Sequence, residues 1–579
     1  MEAPSLPARL RRKVTTRHGW LGDYNYKALC LPRVPFLSPG APAPFFGLNE
    51  SLPIAVGALV GFQHALAMIG GITALPLILS GAGDNHLNLD NDFRSYMVST
   101  ALITSGLLSL MQIKRLSLRW GGLHIGSGLI SLSGPSFTFL PIAEAAIRAM
   151  RADGTTCPPP LDGGLPAPCP DAFGRYLGTV AVCCLLEVGL SFLPARATRK
   201  VFPPLVTGVT VFLIGASLVG TGLKYWGGGS GPCYAYRLAG GGVPIFAECP
   251  NTLVSQTSLP WGHANWIGLG FSVFGAILLI EVFGSPFMRS AQIILALLIG
   301  FAVAAATGYV GTASITSAPV VTFLWTRTFN LGFYAPSVIP LLIAFVVTTV
   351  ESVGDITASC DVSRVETSGP VFESRIQGGI LADGVNSLIA VLMTGNPTTT
   401  FSQNNAVIAI TRCANRMAGY WACFWLILAG ILGKVGGVFV AIPDAVVGGM
   451  TTFLFANVAV SGIRILARLG WTRRDRFIVS AALAVGLGVS LVPNWFEYIF
   501  TYEGDSAGLQ AVIDAVKITV STGYCIGAII AIALNLLLPF EEEDLTTGSA
   551  EAAAPPKSID SDEEVADANR IDGASSGSS

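Results

Sequence analysis

Apolar runs long enough to cross a bilayer recur along this chain. They fall near residues 52–80, 95–113, 121–141, 172–194, 201–222, 263–284, 289–310, 335–357, 377–394, 401–411, 417–441, 444–463, 477–493 and 518–539, about fourteen in all. A helical span consumes roughly 20 apolar residues. Only 12% of the 579 residues are charged and 51% are apolar, whereas a soluble domain carries about 25% charge. The sequence therefore reads as an all-α polytopic membrane protein. Nucleic acid is not an expected partner, because no Lys/Arg-rich block with interleaved aromatics is present. Phosphate-loop and zinc spacings are missing as well.

Charge in the connecting loops orients the spans. The basic start, with Arg9, Arg11, Arg12, Lys13 and Arg17, is not followed by an apolar run of signal-peptide length within 30 residues. It reads as a cytosolic tail. Even-numbered loops collect Lys114, Arg115 and Arg119; Arg196, Arg199 and Lys200; Arg289; Arg364 and Arg375; Arg412 and Arg416; and Arg464, Arg468, Arg473, Arg474 and Arg476. Cytosolic loops gather such residues, so both termini are expected in the cytosol. Odd loops carry Asp84, Asp90, Asp92, Glu497, Glu503 and Asp505, with Arg94, Arg148, Arg151, Lys224, Arg237 and Arg327 as exceptions. Cys157, Cys169, Cys233 and Cys249 fall in two of these external loops, where disulfides form, and three pairings are open to them. The carboxyl tail, 541–579, holds eleven Asp/Glu against two Lys/Arg and reads as disordered.

Fourteen spans divide after the seventh, near residue 325, and the weakest two, the third and the tenth, hold the same place in each half. Paired, Gly/Pro-interrupted segments point to a secondary transporter built from inverted repeats, with its site where broken helices meet at mid-membrane. An odd number of spans per half forces the second repeat to run inverted. Span three, Gly126 to Phe137, reads as extended up to Pro135, which suits the first turn of a following helix. Span ten is preceded by Gly395-Asn396-Pro397-Thr398-Thr399-Thr400, whose Thr and Asn side chains are expected to cap a half-helix opening at Phe401.

Ionisable groups inside spans cost about 2.5 to 3.5 kcal/mol on insertion scales and mark function by default. Glu351 and Asp355 lie four apart, on one face of span eight. Asp383 in span nine and His64 in span one are further candidates, whereas Glu187 and Glu281 have no polar neighbours in sequence and read as structural or interfacial. Gln403-Asn404-Asn405 offers three amides at the half-helix start, two positions after Phe401. A sugar or an inorganic anion has no need of the aromatic; a flat heteroaromatic ligand does. Its edge would bond to Gln403 and Glu351 while its faces rest on Phe401 and Phe137, each contact worth on the order of 1 kcal/mol.

At these residues the chain resembles the nucleobase-ascorbate transporter family, also called nucleobase:cation symporter 2, and within it the fungal uric acid-xanthine permeases. The resemblance runs through Gly47 to Glu50, Gly61 to Met68, Glu351 to Asp355, Cys360 to Arg364, Phe372 to Gly378 and the Gln403-Asn404-Asn405-Ala406 signature, where Ala406 replaces the family's Gly. It implies a core domain of spans one to four (52–194) and eight to eleven (326–441) and a gate domain of spans five to seven (195–325) and twelve to fourteen (442–540), flanked by the tails 1–51 and 541–579. It implies homodimers in the lipid bilayer. By position, Glu351 and Gln403 would hold the purine, Phe401 would stack on it, and the backbone near Phe137 and Ser402 would add hydrogen bonds. Asp383, Asp355, Asn404 and His64 would form the supporting network, with Asp383 and Glu351 the candidates for proton coupling. Thr522, Tyr524 and Arg476 match the family's gate selectivity positions, with Tyr524 where Phe is frequent. Asp23-Tyr24-Asn25-Tyr26 resembles the family's export motif, with Asn25 in place of Asp.

The expected function is a plasma-membrane, proton-coupled symporter importing xanthine and uric acid by an elevator-type movement, with the proton as coupling ion and no cofactor or metal. Rivals are a carrier of the same family for uracil, another purine or ascorbate, and, more remotely, an anion exchanger of the same seven-plus-seven architecture, which a fixed carboxylate at Glu351 argues against. No nucleophile-base pair in the spans suggests an enzyme.

Overall fold

The computed structural model describes residues 14–32, 44–83, 85–117, 123–154, 156–159, 166–193, 203–229, 248–249, 259–492, 495–496, 499 and 506–539. Arg9, Arg11, Arg12, Lys13, Asp84, Arg119, Arg196, Arg199, Lys200, Cys233, Arg237, Glu497, Glu503, Asp505 and the tail 541–579 lie outside the described residues.

Helices dominate. In chain order they include α1 (Ile54–Ser80), α2 (Asn91–Lys114), strand β1 (Ser133–Pro135), α3 (Leu140–Asp153), α4 (Pro170–Cys183), α5 (Leu185–Leu190), α6 (Pro204–Trp226), α7 (Ala264–Phe283) and α8 (Gln292–Ala306). The second half follows with α9 (Val338–Val362), α10 (Pro370–Leu392), strand β2 (Thr398–Thr400), α11 (Gln403–Thr411), α12 (Arg416–Ile431), α13 (Gly433–Ala441), α14 (Asp444–Leu466), α15 (Arg473–Leu491), α16 (Ala507–Ser521) and α17 (Gly523–Leu537). Thirteen of the fourteen apolar runs hold α-helix over much of their length; 121–141 is extended around Ser133–Pro135 and reaches only the first two residues of α3. Among the described residues seven helices are long and apolar enough to cross a membrane, and nine spans result if the bent pairs α12/α13 and α16/α17, kinked by 75° and 87°, each count as one. The others fall short for physical reasons: α3, α8 and α11 are short, α10 carries Glu373, Arg375 and Asp383, and α15 opens on Arg473, Arg474, Asp475 and Arg476.

Corresponding elements of the two halves pack on one another. Strands β1 and β2 pair antiparallel, with Ser133, Gly134 and Pro135 opposite Thr400, Thr399 and Thr398. Helices α6 and α14 lie side by side because Gly208, Gly215 and Gly222 recur every seven residues along α6; a Cβ at Gly215 would overlap Ala459, and one at Gly222 would stand 2.6 Å from the Thr452 hydroxyl. Small residues at such intervals are how membrane helices approach without a hydrophobic drive.

Two details differ from the sequence expectation. Span three continues as helix to Asp153, because the apolar positions Ile142, Ala143, Ala146, Ile147 and Met150 bury one face of α3 beyond residue 141. Half-helix α11 has Ser402 as its N-cap with no side-chain cap bond, since Thr398 to Thr400 are committed to β2. Of the bonds open to the four external cysteines, the described residues form Cys157–Cys169, their Cα atoms 5.2 Å apart.

On the face bearing the loop arginines, the amino-terminal segment docks against the end of α11. The buried Tyr24 donates its hydroxyl to the Thr411 carbonyl at 3.2 Å, and Phe46 bridges to Cys413.

Candidate functional site

The site begins where the chain abandons the helix twice at the same depth. The backbone of Ser133–Pro135 is extended because Gly134 and Pro135 disfavour helix there, and its N–H and C=O groups find partners in β2. The ladder is lengthened at both ends, as Phe401 N–H donates to the Leu132 carbonyl at 2.9 Å and Ser136 N–H to the Pro397 carbonyl at 3.0 Å. From this small sheet α11 departs at Gln403, and a single 3-10 turn, Phe137–Phe139, leads into α3. The turn that leads into α3 and the start of α11 therefore both face one central cavity, with the positive end of the α11 dipole toward it.

That cavity, of about 2050 Å3, is lined by Ser136, Phe137, Thr138, Glu351, Asp355, Thr399, Thr400, Phe401, Ser402, Gln403 and Ala406, and it extends to Arg364, Arg464 and Arg468. All five residues expected to hold the ligand, Glu351, Gln403, Phe401, Phe137 and Ser402, are thus brought together on its wall. Glu351 and Asp355 share one face of α9, as their spacing predicted. The Phe401 ring is held edge-on by two glycines: a Cβ at Gly71 would stand 2.9 Å from its Cε2, and one at Gly134 2.9 Å from its Cζ. Phe137 meets Phe455 of α14 edge to face, ring centroids 5.2 Å apart.

Of the residues expected to support the site, His64, Asn404 and Asp383 sit one layer behind, whereas Asp355 is on the cavity wall itself. His64 Nδ1 lies 3.0 Å from Asn404 Oδ1, and Asn404 Nδ2 donates to the Phe401 carbonyl at 3.1 Å, so α1 braces the start of α11. Asp383 is fully buried in α10. It accepts from Gln112 Nε2 at 2.8 Å and from the Ser352 hydroxyl. Asp355 accepts from the Thr400 hydroxyl at 3.4 Å, and Ser359 donates to Asn405 at 2.6 Å. Gln112, Ser352 and Ser359 were missed by sequence reasoning. One signal for the last two was their position on the helix stripe of Glu351 and Asp355; Gln112, alone in an apolar run, gave none.

The three positions expected at a gate are not gathered. Thr522 stands at the break between α16 and α17, its hydroxyl donating to the Ile518 carbonyl at 2.7 Å. Tyr524, fully buried, donates to the Thr138 carbonyl at 2.8 Å. Arg476 is exposed near the start of α15, away from the cavity lining. Among the described residues no group of three or more His, Cys, Asp or Glu is placed to hold a metal ion.

A helical membrane body with two broken spans meeting at a polar cavity defines a transport protein rather than an enzyme. A family model described as "Permease family" (Xan_ur_permease) matches residues 57–248 and 243–495. Similar proteins include a purine permease of Emericella nidulans, 47% identical over 545 residues, which cover 94% of this chain and 92% of that one. A uric acid-xanthine permease of the same organism is 46% identical over 539 residues, covering 93% and 90%, and the Escherichia coli xanthine permease XanQ is 30% identical over 509 residues, covering 88% and 97%. The chain belongs to the nucleobase-ascorbate transporter family. In fold it is similar to the transmembrane domain of the cyanobacterial bicarbonate transporter BicA, with a TM-score of 0.52 at 14% identity, covering 78% of this chain and 99% of that one. It is likewise similar to the murine anion transporter Slc26a9 in its inward-facing state, with a TM-score of 0.51 at 9% identity, covering 78% and 69%.

Proposed function

We propose that this protein is a proton-coupled symporter that imports xanthine and uric acid across the plasma membrane. The observation that carries this reading is the convergence of Glu351, Gln403 and Phe401 on one cavity wall at a half-helix start. A xanthine or urate ring presents adjacent N–H and C=O groups on a flat body. Glu351 accepts from the N–H, the Gln403 amide serves a neighbouring carbonyl and nitrogen, and Phe401 receives a ring face. Backbone N–H groups near Phe137 and Ser402 complete the edge. The names of relatives at 46–47% identity support the purine class.

In this reading spans one to four and eight to eleven move as a core against a gate of spans five to seven and twelve to fourteen, in a homodimer. With the arginine-bearing loops and both termini in the cytosol, a cavity reaching Arg364, Arg464 and Arg468 is inward-open. Thr522, Tyr524 and Arg476 act at the gate and tune which purine passes. The candidates for the proton carrier are the core carboxyls Asp383 and Glu351, and Asp383 is the one left free to hold it when the purine N–H bonds to an ionised Glu351.

Initial-rate uptake of labelled xanthine in cells lacking their own purine carriers, with and without a protonophore, tests the proposal. Uptake that collapses with the proton gradient is expected. Absence of uptake by protein that has reached the surface would overturn the substrate assignment in favour of uracil or another ligand of the family.

A further inference from the structure

One buried carboxyl plays no part in the site described above. Glu187, in the short helix α5, is fully buried, although the sequence reads it as structural or interfacial. Its Oε1 accepts from the Thr348 hydroxyl at 3.3 Å. Its Oε2 is buried without a hydrogen-bond partner among the described residues.

The neighbourhood is acidic and specifically built. Helix α5 packs against α9 and α10. It comes in beside Asp383 because residue 384 is glycine: a Cβ there would stand 2.8 Å from the Val188 nitrogen and 3.3 Å from the Glu187 carbonyl carbon. Thr348, which serves Glu187, is one helical turn before Ser352, which serves Asp383. The titratable groups facing Glu187 are Asp383 of α10, Glu351 of α9 and the Cys184 thiol at the α4–α5 turn. None of the ion pairs among the described residues includes Glu187. Carboxyl groups gathered this way, with no cation opposite, cannot all carry charge at once.

We propose that Glu187 is a further proton-holding residue of the transport cycle, a positioning residue that acts through Thr348 and Asp383 without touching the purine. This rests on the reading of the protein as a proton symporter. A purine N–H bonded to Glu351 favours that carboxylate ionised, and its charge in turn favours a proton on Glu187 or Asp383 behind it. Purine binding and proton binding are then linked, and the linkage is reciprocal. The proton enters the pair from outside with the purine and leaves to the cytosol through the cavity after it.

The test compares wild type with Glu187→Gln and Glu187→Asp in cells and as purified protein. Xanthine uptake is followed across a pH series, and proton uptake on xanthine addition is followed in weak buffer with an indicator dye. For Glu187→Gln the factor by which a pH step changes uptake is expected to fall below that of wild type, with fewer protons taken up per purine, and Glu187→Asp is expected to restore both. A Glu187→Gln protein with the wild-type pH profile and proton count would overturn the inference. If Glu187→Gln fails to reach the surface, Thr348→Val keeps the acid and removes its donor; an unmoved midpoint of the pH profile would then overturn the inference, and a displaced one is expected. A wild type that itself takes up no proton would overturn the symport reading, an outcome distinct from the others.

Discussion

The Tyr524 hydroxyl bonds to the Thr138 carbonyl, so a side chain at the start of α17 holds the backbone of the broken span in the other half of the chain. The contact lies next to Phe137, which meets Phe455 of α14 in the same region. A phenylalanine there fills the same space and cannot make the bond. Tyr524→Phe is expected to lower thermal stability by about 1 kcal/mol while leaving surface delivery intact, and to change the ratio of xanthine to uric acid uptake. Uptake kinetics for both purines beside a melting curve check it; an unchanged ratio with unchanged stability would show the bond to be idle.

Glu351→Gln replaces the cavity carboxylate with a neutral amide of the same shape. A hydrogen bond to a charged group contributes about 1.5–3 kcal/mol, so xanthine affinity should fall at least about tenfold. Transport should be lost with the protein still at the surface. Wild-type uptake by this variant would remove Glu351 from the site.

Gly134→Ala places a methyl 2.9 Å from the Phe401 ring. Because the ring is also hemmed in by Gly71, it must turn toward the cavity. Overpacking of this kind costs about 1–3 kcal/mol. The expected signature is a raised KM for xanthine, about tenfold, with less effect on maximal rate. A larger effect on surface level than on KM would mean that the glycine serves folding alone.

Ala406 faces the cavity from α11, at the position where the sequence resemblance implies glycine. Ala406→Gly is expected to alter the inhibition profile of purine analogues more than the surface level, measured by competition against labelled xanthine. An unchanged profile would make the departure neutral.

Much of this architecture was legible because bilayer physics leaves few choices. The apolar runs marked out the order of the helices, and the weakness of 121–141 and 401–411 marked the two breaks beside which β1 and β2 pair. Glu351 and Asp355 stood out as ionisable groups in an apolar run, and their spacing of four put them on the one helix face that lines the cavity. What escaped were relationships that only a tertiary fold creates. Nothing in the sequence near Gln112 announces Asp383, 271 positions away, and nothing near Glu187 announces Thr348, 161 positions away. The hydrophobic run around Glu187 looked uniform because the polar partners lie on other helices. Cap chemistry misled at α11, where threonines that suit a helix start were taken by strand pairing instead.

The pairing of Ser133–Pro135 with Thr398–Thr400 also bears on how the protein is made. A ribosome has to pass Thr400 before the backbone of Ser133 and Gly134 has its partners in β2. Exposed peptide groups at that depth cost several kcal/mol each in hydrocarbon. The first half therefore has to wait, shielded by the insertion machinery or by water, and chains truncated before the second break would present the cell's quality control with an open strand edge inside the bilayer.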